Sequence, residues 1–366
     1  MREPGDVRRQ RILAVVESRG AVKVTDLASE LEVSVVTARR DVEELARAGR
    51  LRRGHGVARP VTAALEPAVP PAARAGGQGG PVALVVPERH TYLYEAMDGA
   101  RAVLEAAGIR IALHIAPQAP DAERPIVERA LADGARGLLI APRWRTAAAQ
   151  DADADWLSRT DVPTVIMERR PGPGSPLHAV DSVCSDHWYG MWLAVEHLTS
   201  LGHRRIVLAA RDDSPTARAL RAAFTSIVAA RADVEDAVVV LSAKDAGADS
   251  AETAPASLAA LLRERRATGA VLHGDVDALM LVQQLADSGV RVPGDCSVVA
   301  YDDVVAALGS TPLTAVAPPK SEVGRVAAAL LLERLGRLGD VAGRPRRVEL
   351  LPELKVRGST ATAPIV

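Results

Sequence analysis

The stretch that decides the reading is Arg8–Val57, RRQRILAVVESRGAVKVTDLASELEVSVVTARRDVEELARAGRLRRGHGV. Ile12, Leu13, Val15 and Val16 recur at helical spacing and give a first helix one apolar face. Thr25 can cap a second helix whose Leu27, Ala28 and Leu31 face inward, and Glu32-Val33 makes the turn out of it. Ser34 can cap a third helix with Val35, Ala38, Val42 and Leu45 on one stripe, which is expected to enter the core. The opposite face carries Val36, Thr37, Arg40 and Arg47, with Arg39 on the flank. Gly49 ends this helix, and Leu51–Val57 follows as a basic, glycine-punctuated hairpin.

Three helices followed by a basic hairpin make the pattern of a winged helix-turn-helix. The N-terminal part of such a third helix meets base edges in the major groove. Arg40 suits guanine, Thr37 a base or phosphate, and Val36 a thymine methyl, with Ser34, Arg39 and Arg47 beside them. Arg52, Arg53 and His55 on the hairpin are placed for phosphates or the minor groove. The segment resembles the DNA-binding domain of the DeoR family of bacterial repressors. That family's LA..L.VS..T.RRD...L...G.L.R.HG pattern stands here as Leu27-Ala28, Leu31, Val33-Ser34, Thr37, Arg39-Arg40-Asp41, Leu45, Gly49, Leu51, Arg53 and His55-Gly56. Ala38 replaces the usual Ile or Val, and Val57 replaces a second wing Gly.

The 366 residues are enough for two or three domains. The net charge of -1 conceals an asymmetry. Residues 1–60 hold 13 Arg/Lys against 9 Asp/Glu, which leaves 32 against 37 for the rest. A basic N-terminal module on an acidic body fits a nucleic-acid contact confined to one end and argues against a membrane-surface protein. The two cysteines, Cys184 and Cys296, lie outside any metal-ligand spacing and read as reduced structural thiols. The opening MREPGDVRRQ has no apolar core, and no run of about 18 apolar residues exists. A cytoplasmic protein with no membrane partner is expected. Residues 1–58 form the first domain in this reading, and 59–80 (RPVTAALEPAVPPAARAGGQGG) form a Pro/Gly/Ala-rich linker.

From residue 81 onward short apolar runs alternate with helical stretches. Strands are expected at Val82–Val86, Ile109–Ile115, Gly137–Ala141, Pro163–Met167, Arg205–Ala210, Val238–Leu241, Ala270–His273 and Ser297–Tyr301. Helices are expected at Leu93–Ala107, Glu123–Ala132, His187–Leu201 and Pro215–Ala230. The alternation implies α/β architecture with doubly wound parallel sheets, and its length implies two lobes. The first lobe is expected at about 81–204 and 312–338, the second at about 205–311 and 345–360. Ligands of such sheets bind beyond the carboxyl ends of the strands. The candidates there are Arg89, Tyr92, Tyr94, Trp144, Arg169, Trp188 and Arg218 or Arg221, together with Asp186, Asp275 and Asp302. Most of the nine aromatic residues lie on or near these loops, and flat apolar faces with carboxylates and Arg suit a sugar.

The body resembles the effector-binding core of the lac repressor/galactose repressor family, itself similar to periplasmic sugar-binding proteins. Three motifs carry the likeness. Asp186…Gly190…Ala194…His197-Leu198…Leu201-Gly202-His203-Arg204-Arg205-Ile206 follows D...G...A..HL..LGHRRI. Gly289…Val292-Pro293…Asp295…Ser297-Val298-Val299-Ala300-Tyr301-Asp302-Asp303 follows G..VP.D.SVVGYDD, and Pro312–Val316 follows PLTTV. The resemblance implies two lobes joined by three crossovers, with the effector in the cleft. It implies hydroxyl-binding roles for Asp186, Asp275 and Asp302, and a cleft arginine at Arg218 or Arg221. It further implies a DNA-binding regulator, a repressor of the homodimeric or tetrameric kind, with operator DNA and a sugar-like small molecule as partners. The family's own helix-turn-helix and hinge helix are replaced by the DeoR-like module and the linker.

A sugar-phosphate enzyme or kinase fused to a DNA reader is the alternative. Against it, the chain has no GxxxxGK[ST], no GxGxxG after a strand, and no catalytic or metal-ligand spacing. No cofactor, metal or catalytic residue is expected. His197 and His203 read as packing residues.

Overall fold

The protein is described from a computed structural model. The described residues are 9, 12, 13, 15, 16, 22–24, 27, 28, 33–47, 51–54, 57–60, 79–88, 91–172, 174–242, 257–336 and 343–364. Two compact units divide the chain, Met1–Gly76 and Gly77–Val366.

In the first unit a short strand β1 (Val22–Lys23) precedes the helix α1 (Val35–Arg47). The hairpin β2 (Leu51–Gly54) and β3 (Val57–Pro60) follows, and β1 pairs antiparallel with β3. Ile12, Leu13, Val16, Leu27, Ala28, Ala38, Val42, Leu45 and Leu51 form its core. Helical periodicity foretold this face with one exception. Val35 is 38% exposed because it begins α1, before the helix has turned onto the core. Ser34 does cap the helix: its Oγ accepts from the Thr37 N–H at 3.1 Å. Arg59 and Pro60, read from sequence as linker, belong to β3, where Arg59 pairs with Arg52 and Pro60 with Leu51. The proline sits at the strand's end, where it disrupts little of the ladder. Thr25, Leu31, Glu32, Gly49 and residues 61–78 of the expected linker lie outside the described residues.

The second unit has two sheets. The first combines β4 (Val82–Pro87), β5 (Ile111–Ala116), β6 (Gly137–Ile140), β7 (Thr164–Met167), β8 (Asp181–Ser185) and β14 (Arg347–Leu350) in the parallel order β14-β8-β7-β6-β4-β5. Its helices are α2 (Tyr94–Ala106), α3 (Glu123–Ala132), α4 (Ala147–Ser158) and α9 (Lys320–Gly336). The second sheet combines β9 (Arg205–Ala210), β10 (Asp236–Leu241), β11 (Gly269–His273), β12 (Ser297–Tyr301), β13 (Thr314–Ala317) and β15 (Glu353–Lys355). Its order is β10-β9-β11-β12-β13-β15, parallel except for the edge strand β15. Its helices are α5 (His187–Ser200), α6 (Pro215–Ala229), α7 (Leu258–Arg265) and α8 (Asp275–Asp287). The fold is the expected α/β one with two mostly parallel sheets.

Both sheets are covered on both faces. In the first lobe Leu84 and Val86 meet Leu104 and Leu331, while Val85 and Ile140 meet Val127 and Leu157. In the second, Val207 and Leu272 meet Leu262 and Leu285, while Leu208 and Val299 meet Leu220 and Phe224. Each such fully buried Leu or Ile stabilises the fold by about 2 kcal/mol.

The lobe boundaries differ from those read in the sequence. Helix α5 packs through Met191, Val195 and Leu198 on the second sheet, so the first crossing lies at Asp186 and not after residue 204. Strand β13 pairs with β12 in the second sheet, whereas β14 pairs with β8 in the first. The chain thus crosses at Asp186, at Pro318-Pro319 and at Leu351-Pro352. Apolar alternation records that a segment is a buried strand or helix but carries no mark of which sheet it joins. Two glycines explain close approaches. An added Cβ at Gly190 would stand 2.4 Å from the Tyr301 hydroxyl, and one at Gly324 would stand 1.8 Å from the Ala96 carbonyl oxygen.

Candidate functional site

At the carboxyl ends of both sheets a cavity of about 390 Å³ opens between the lobes. The strand ends build it. Pro87 closes β4, Glu168 and Arg169 follow β7, His273 ends β11, and Asp302 follows β12. Helix starts complete it: His187 opens α5, Asp275 and Asp277 lie in the first turn of α8, and Lys320 opens α9. Glu168 and Asp302 hold left-handed backbone, at φ 50° and 82°. Such strain in non-glycine residues gathers where a site must aim side chains.

The second lobe presents acids, and each is partnered. Asp302 meets the Lys320 ammonium at 2.8 Å, an ion pair that crosses the lobes, with side chains 16% and 7% exposed. Burial opposes ionisation of Asp302, but Lys320 outweighs it and holds the carboxyl below its ordinary range. Burial likewise opposes the charge on Lys320, and Asp302 keeps that pKa raised. Asp275 accepts from the N–H groups of Val305 and Ala306, at 2.5 and 3.1 Å. Asp277 takes the Arg211 guanidinium at 2.6 Å. From the first lobe, Glu168 accepts the Ser185 hydroxyl at 2.7 Å.

Two histidines line the same space. His187 Nδ1 stands 3.0 Å from the Tyr301 hydroxyl, and its Nε2 has no hydrogen-bond partner, with Glu168 at 3.9 Å. His273, 7% exposed, has an unpartnered Nδ1. Burial lowers the pKa of both rings, so both are neutral near pH 7.

The first lobe presents arginines. Arg169, 2% exposed, donates to the carbonyls of Pro142 and Glu168 at 2.5 and 2.8 Å and to the Tyr92 hydroxyl at 2.5 Å. Arg143 and Arg145 line the cavity beside it. Arg218 reaches across from α6 to the carbonyls of Trp144 and Arg145. Burial, then the nearby Arg169 charge, lowers its pKa.

The structure therefore brings Tyr92, Arg169, Asp275 and Asp302 into the lining. Other candidates stand elsewhere. Trp144 is 2% exposed, its indole bound to Asp153 at 2.8 Å inside the first-lobe core. Asp186 folds back to accept the Tyr189 N–H and cap α5. Arg221 lines a separate surface depression with Thr225 and Ser226. Tyr94 and Trp188 are 53% and 46% exposed outside the lining, and Arg89 lies outside the described residues. His197 and His203 are bound to Thr360, Thr268 and the Ala361 carbonyl, as packing residues would be.

Sequence reading missed Lys320, His187 and His273. Lys320 carried one signal, being one of only four lysines in an arginine-rich chain. His273 carried another, a polar residue closing the apolar run GAVLH. Among the described residues no group of three or more His, Cys, Asp or Glu could hold a metal ion.

In the first unit Thr37 is half-buried, while Ser34, Arg39 and Arg40 are exposed along the start of α1. Asp41 of the Arg-Arg-Asp motif is buried, 3.8 Å from Arg9, which also holds Glu44 at 2.9 Å. His55 and the side chains of Val36, Arg47, Arg52 and Arg53 lie outside the described residues.

A helix-turn-helix module joined to a two-lobed, binding-protein-like domain with a polar interlobe cavity defines the class. Comparison with known proteins agrees. Residues 8–63 match a DeoR-like helix-turn-helix domain, and residues 195–360 match a periplasmic binding protein-like domain. The chain is 32% identical over 209 residues to the HTH-type transcriptional repressor PurR of Aliivibrio fischeri, covering 55% of this chain and 58% of that one. It is 35% identical over 214 residues to the HTH-type transcriptional regulator reg1 of Streptomyces lividans, covering 54% and 59%. It thus spans under two thirds of the length of these curated relatives. Among solved structures, the lac repressor dimer bound to operator and the anti-inducer ONPF superposes with a TM-score of 0.62 at 21% identity, over 78% of this chain and 96% of that one. Other neighbours in fold are LacI-family transcriptional regulators. The chain carries a periplasmic-binding-protein-like domain and a DeoR-like helix-turn-helix, and the curated relatives it resembles are named as HTH-type transcriptional repressors and regulators.

Proposed function

We propose that the chain is a DNA-binding transcriptional repressor whose operator affinity is set by a small molecule, a sugar or nucleoside, held in the interlobe cavity. The observation that carries this reading is the joining of a helix-turn-helix unit to a cavity whose two walls come from different lobes. A ligand touching both walls favours one lobe arrangement over another, which is what ligand control of a second site requires. Thr37, Arg39 and Arg40 would meet bases, with Ser34, Val36 and Arg47 beside them and Arg52, Arg53 and His55 on the backbone. Tyr92, Arg169, Asp275 and Asp302 would hold the ligand.

A homodimer suits this function, because paired readers engage paired half-sites. Met280 and Leu308 on the second lobe, 55% and 77% exposed, are apolar surface of the kind that such an interface covers. No enzymatic role is proposed, since the second-lobe acids of the cavity are engaged by Lys320, Arg211 and backbone N–H groups, and Glu168 binds the Ser185 hydroxyl. A cytoplasmic location follows from the same reading. No described helix is long and apolar enough to cross a membrane.

The test is selection of duplexes from a random library by the full-length chain. Enrichment of a paired motif, lost in Arg40→Ala and weakened steeply by salt, is the expected result. Recovery of no preferred sequence contradicts the reading.

A further inference from the structure

The second-lobe acids of the cavity are all partnered, whereas Arg143 and Arg169 of the first lobe touch no carboxylate among the described residues: Glu168, the acid on their wall, binds the Ser185 hydroxyl and faces His187 at 3.9 Å. Asp302 has Lys320, Asp277 and Asp213 share Arg211, and Asp275 has two N–H groups. On the opposite wall the Arg143 guanidinium has no hydrogen-bond or ion-pair partner among the described residues, and its backbone N–H donates to Glu123. Arg169 is bound to two carbonyls and a hydroxyl, all uncharged, and among the described residues neither arginine has a carboxylate within ion-pair distance. Arg218, also held by carbonyls alone, adds a third cation close enough to Arg169 for the two charges to oppose each other. A guanidinium as buried as Arg169 is costly without a counter-ion, and dipoles only partly offset that cost. Such a planar fork binds carboxylate or phosphate with two parallel hydrogen bonds.

Resting on the proposed function for the cavity itself, we infer that its ligand is a polyhydroxy anion and not a neutral sugar. Its acidic group, a carboxylate or a phosphate, is held by Arg143 and Arg169. Its hydroxyls face the other wall, where Asp302 accepts hydrogen bonds and the unpartnered Nδ1 of His273 and Nε2 of His187 await partners. The unpartnered histidine atoms explain why the ligand carries hydroxyls, and the uncompensated arginines explain why it carries charge.

The test uses the full-length chain in thermal-shift and calorimetric titrations. The probes are inorganic phosphate and matched series of aldose, aldonate and aldose phosphate with pentose and hexose skeletons. Phosphate should raise the melting midpoint. At least one anion should bind about tenfold or more tightly than the aldose of the same skeleton. The aldonate and aldose-phosphate arms tell carboxylate from phosphate. Arg143→Gln, whose guanidinium binds no other described residue, should remove the advantage of the anion. Arg169→Gln should do the same, and Arg169→Lys should keep part of it. Equal or tighter binding of neutral sugars, no response to phosphate, or an unchanged anion advantage in Arg143→Gln overturns the inference. If neutral sugars bind and shift DNA affinity, the sensor reading stands and the charge assignment falls. If an anion binds through Arg143 and DNA affinity stays fixed, the charge assignment stands and the sensor reading falls.

Discussion

The two walls of the interlobe cavity are wired in opposite ways. On the second-lobe side, Asp302, Asp277 and Asp275 are held by opposite charges or by backbone N–H groups. On the first-lobe side, Arg169 is held by carbonyls and a phenol. The acidic wall is thus close to complete without a ligand, and the basic wall is not. Lys320 joins the two, since it begins a first-lobe helix yet pairs with a second-lobe acid. The contrast teaches that a cavity's residue list says less than its internal pairing: equal numbers of acids and bases can still leave one end of the site short of charge.

The largest expected effect comes from cutting the pair that joins the walls. Lys320→Met leaves Asp302 buried without its cation and should cost about 3–5 kcal/mol in chemical denaturation. Adding Asp302→Asn should recover much of this. If Lys320→Met alone is neutral, the two walls are not coupled through this pair. Next is the seat of the helix that carries Lys320. Gly324→Ala would bring a Cβ to 1.8 Å from the Ala96 carbonyl and force α9 away from α2. A loss of about 1–3 kcal/mol is expected by the same measurement. A smaller effect separates the histidines from the acids. His187 and His273 have pKa values lowered by burial from the ordinary 6.5. The unfolded chain therefore binds more protons than the folded one as pH falls below 6.5, and stability should be full above that pH and decline beneath it. His273→Asn should flatten the melting midpoint against pH between 6.5 and 5, where the acids stay ionised. An unchanged slope would assign the titration to other groups. Smallest is the thiol response. Burial pushes Cys184 and Cys296 up to about 12, so neither should react with a thiol reagent at pH 8 in the folded chain, and both should on unfolding.

Much of the fold was legible because it is local. The core stripe of α1, the Ser34 cap and the basic hairpin follow from spacing within a few residues. The strands 205–210 and 297–301 and the helix 123–132 stand where apolar runs place them. What sequence could not show was long-range. Whether α5, β13 and β14 serve one sheet or the other depends on pairing across the crossovers, and the apolar pattern of each suits either. The site was half legible for the same reason. Asp275, Asp302, Tyr92 and Arg169 stand at strand or helix ends, where topology points. Trp144 and Asp186 stand at such ends too, but one turns into the core to meet Asp153 and the other folds back on its own helix. Lys320 follows Pro318-Pro319, on the other lobe from the acid it meets, and the second crossing brings it there.

The central claim is that this cavity and the helix-turn-helix are coupled, and one measurement addresses it most directly. Fluorescence anisotropy of the selected duplex is recorded at fixed salt with the full-length chain, with and without a saturating amount of the compound that raises its melting midpoint. The account predicts a change in DNA affinity of about fivefold or more, absent when Arg169→Gln replaces the wild-type chain. An identical affinity with the cavity filled and empty would contradict it.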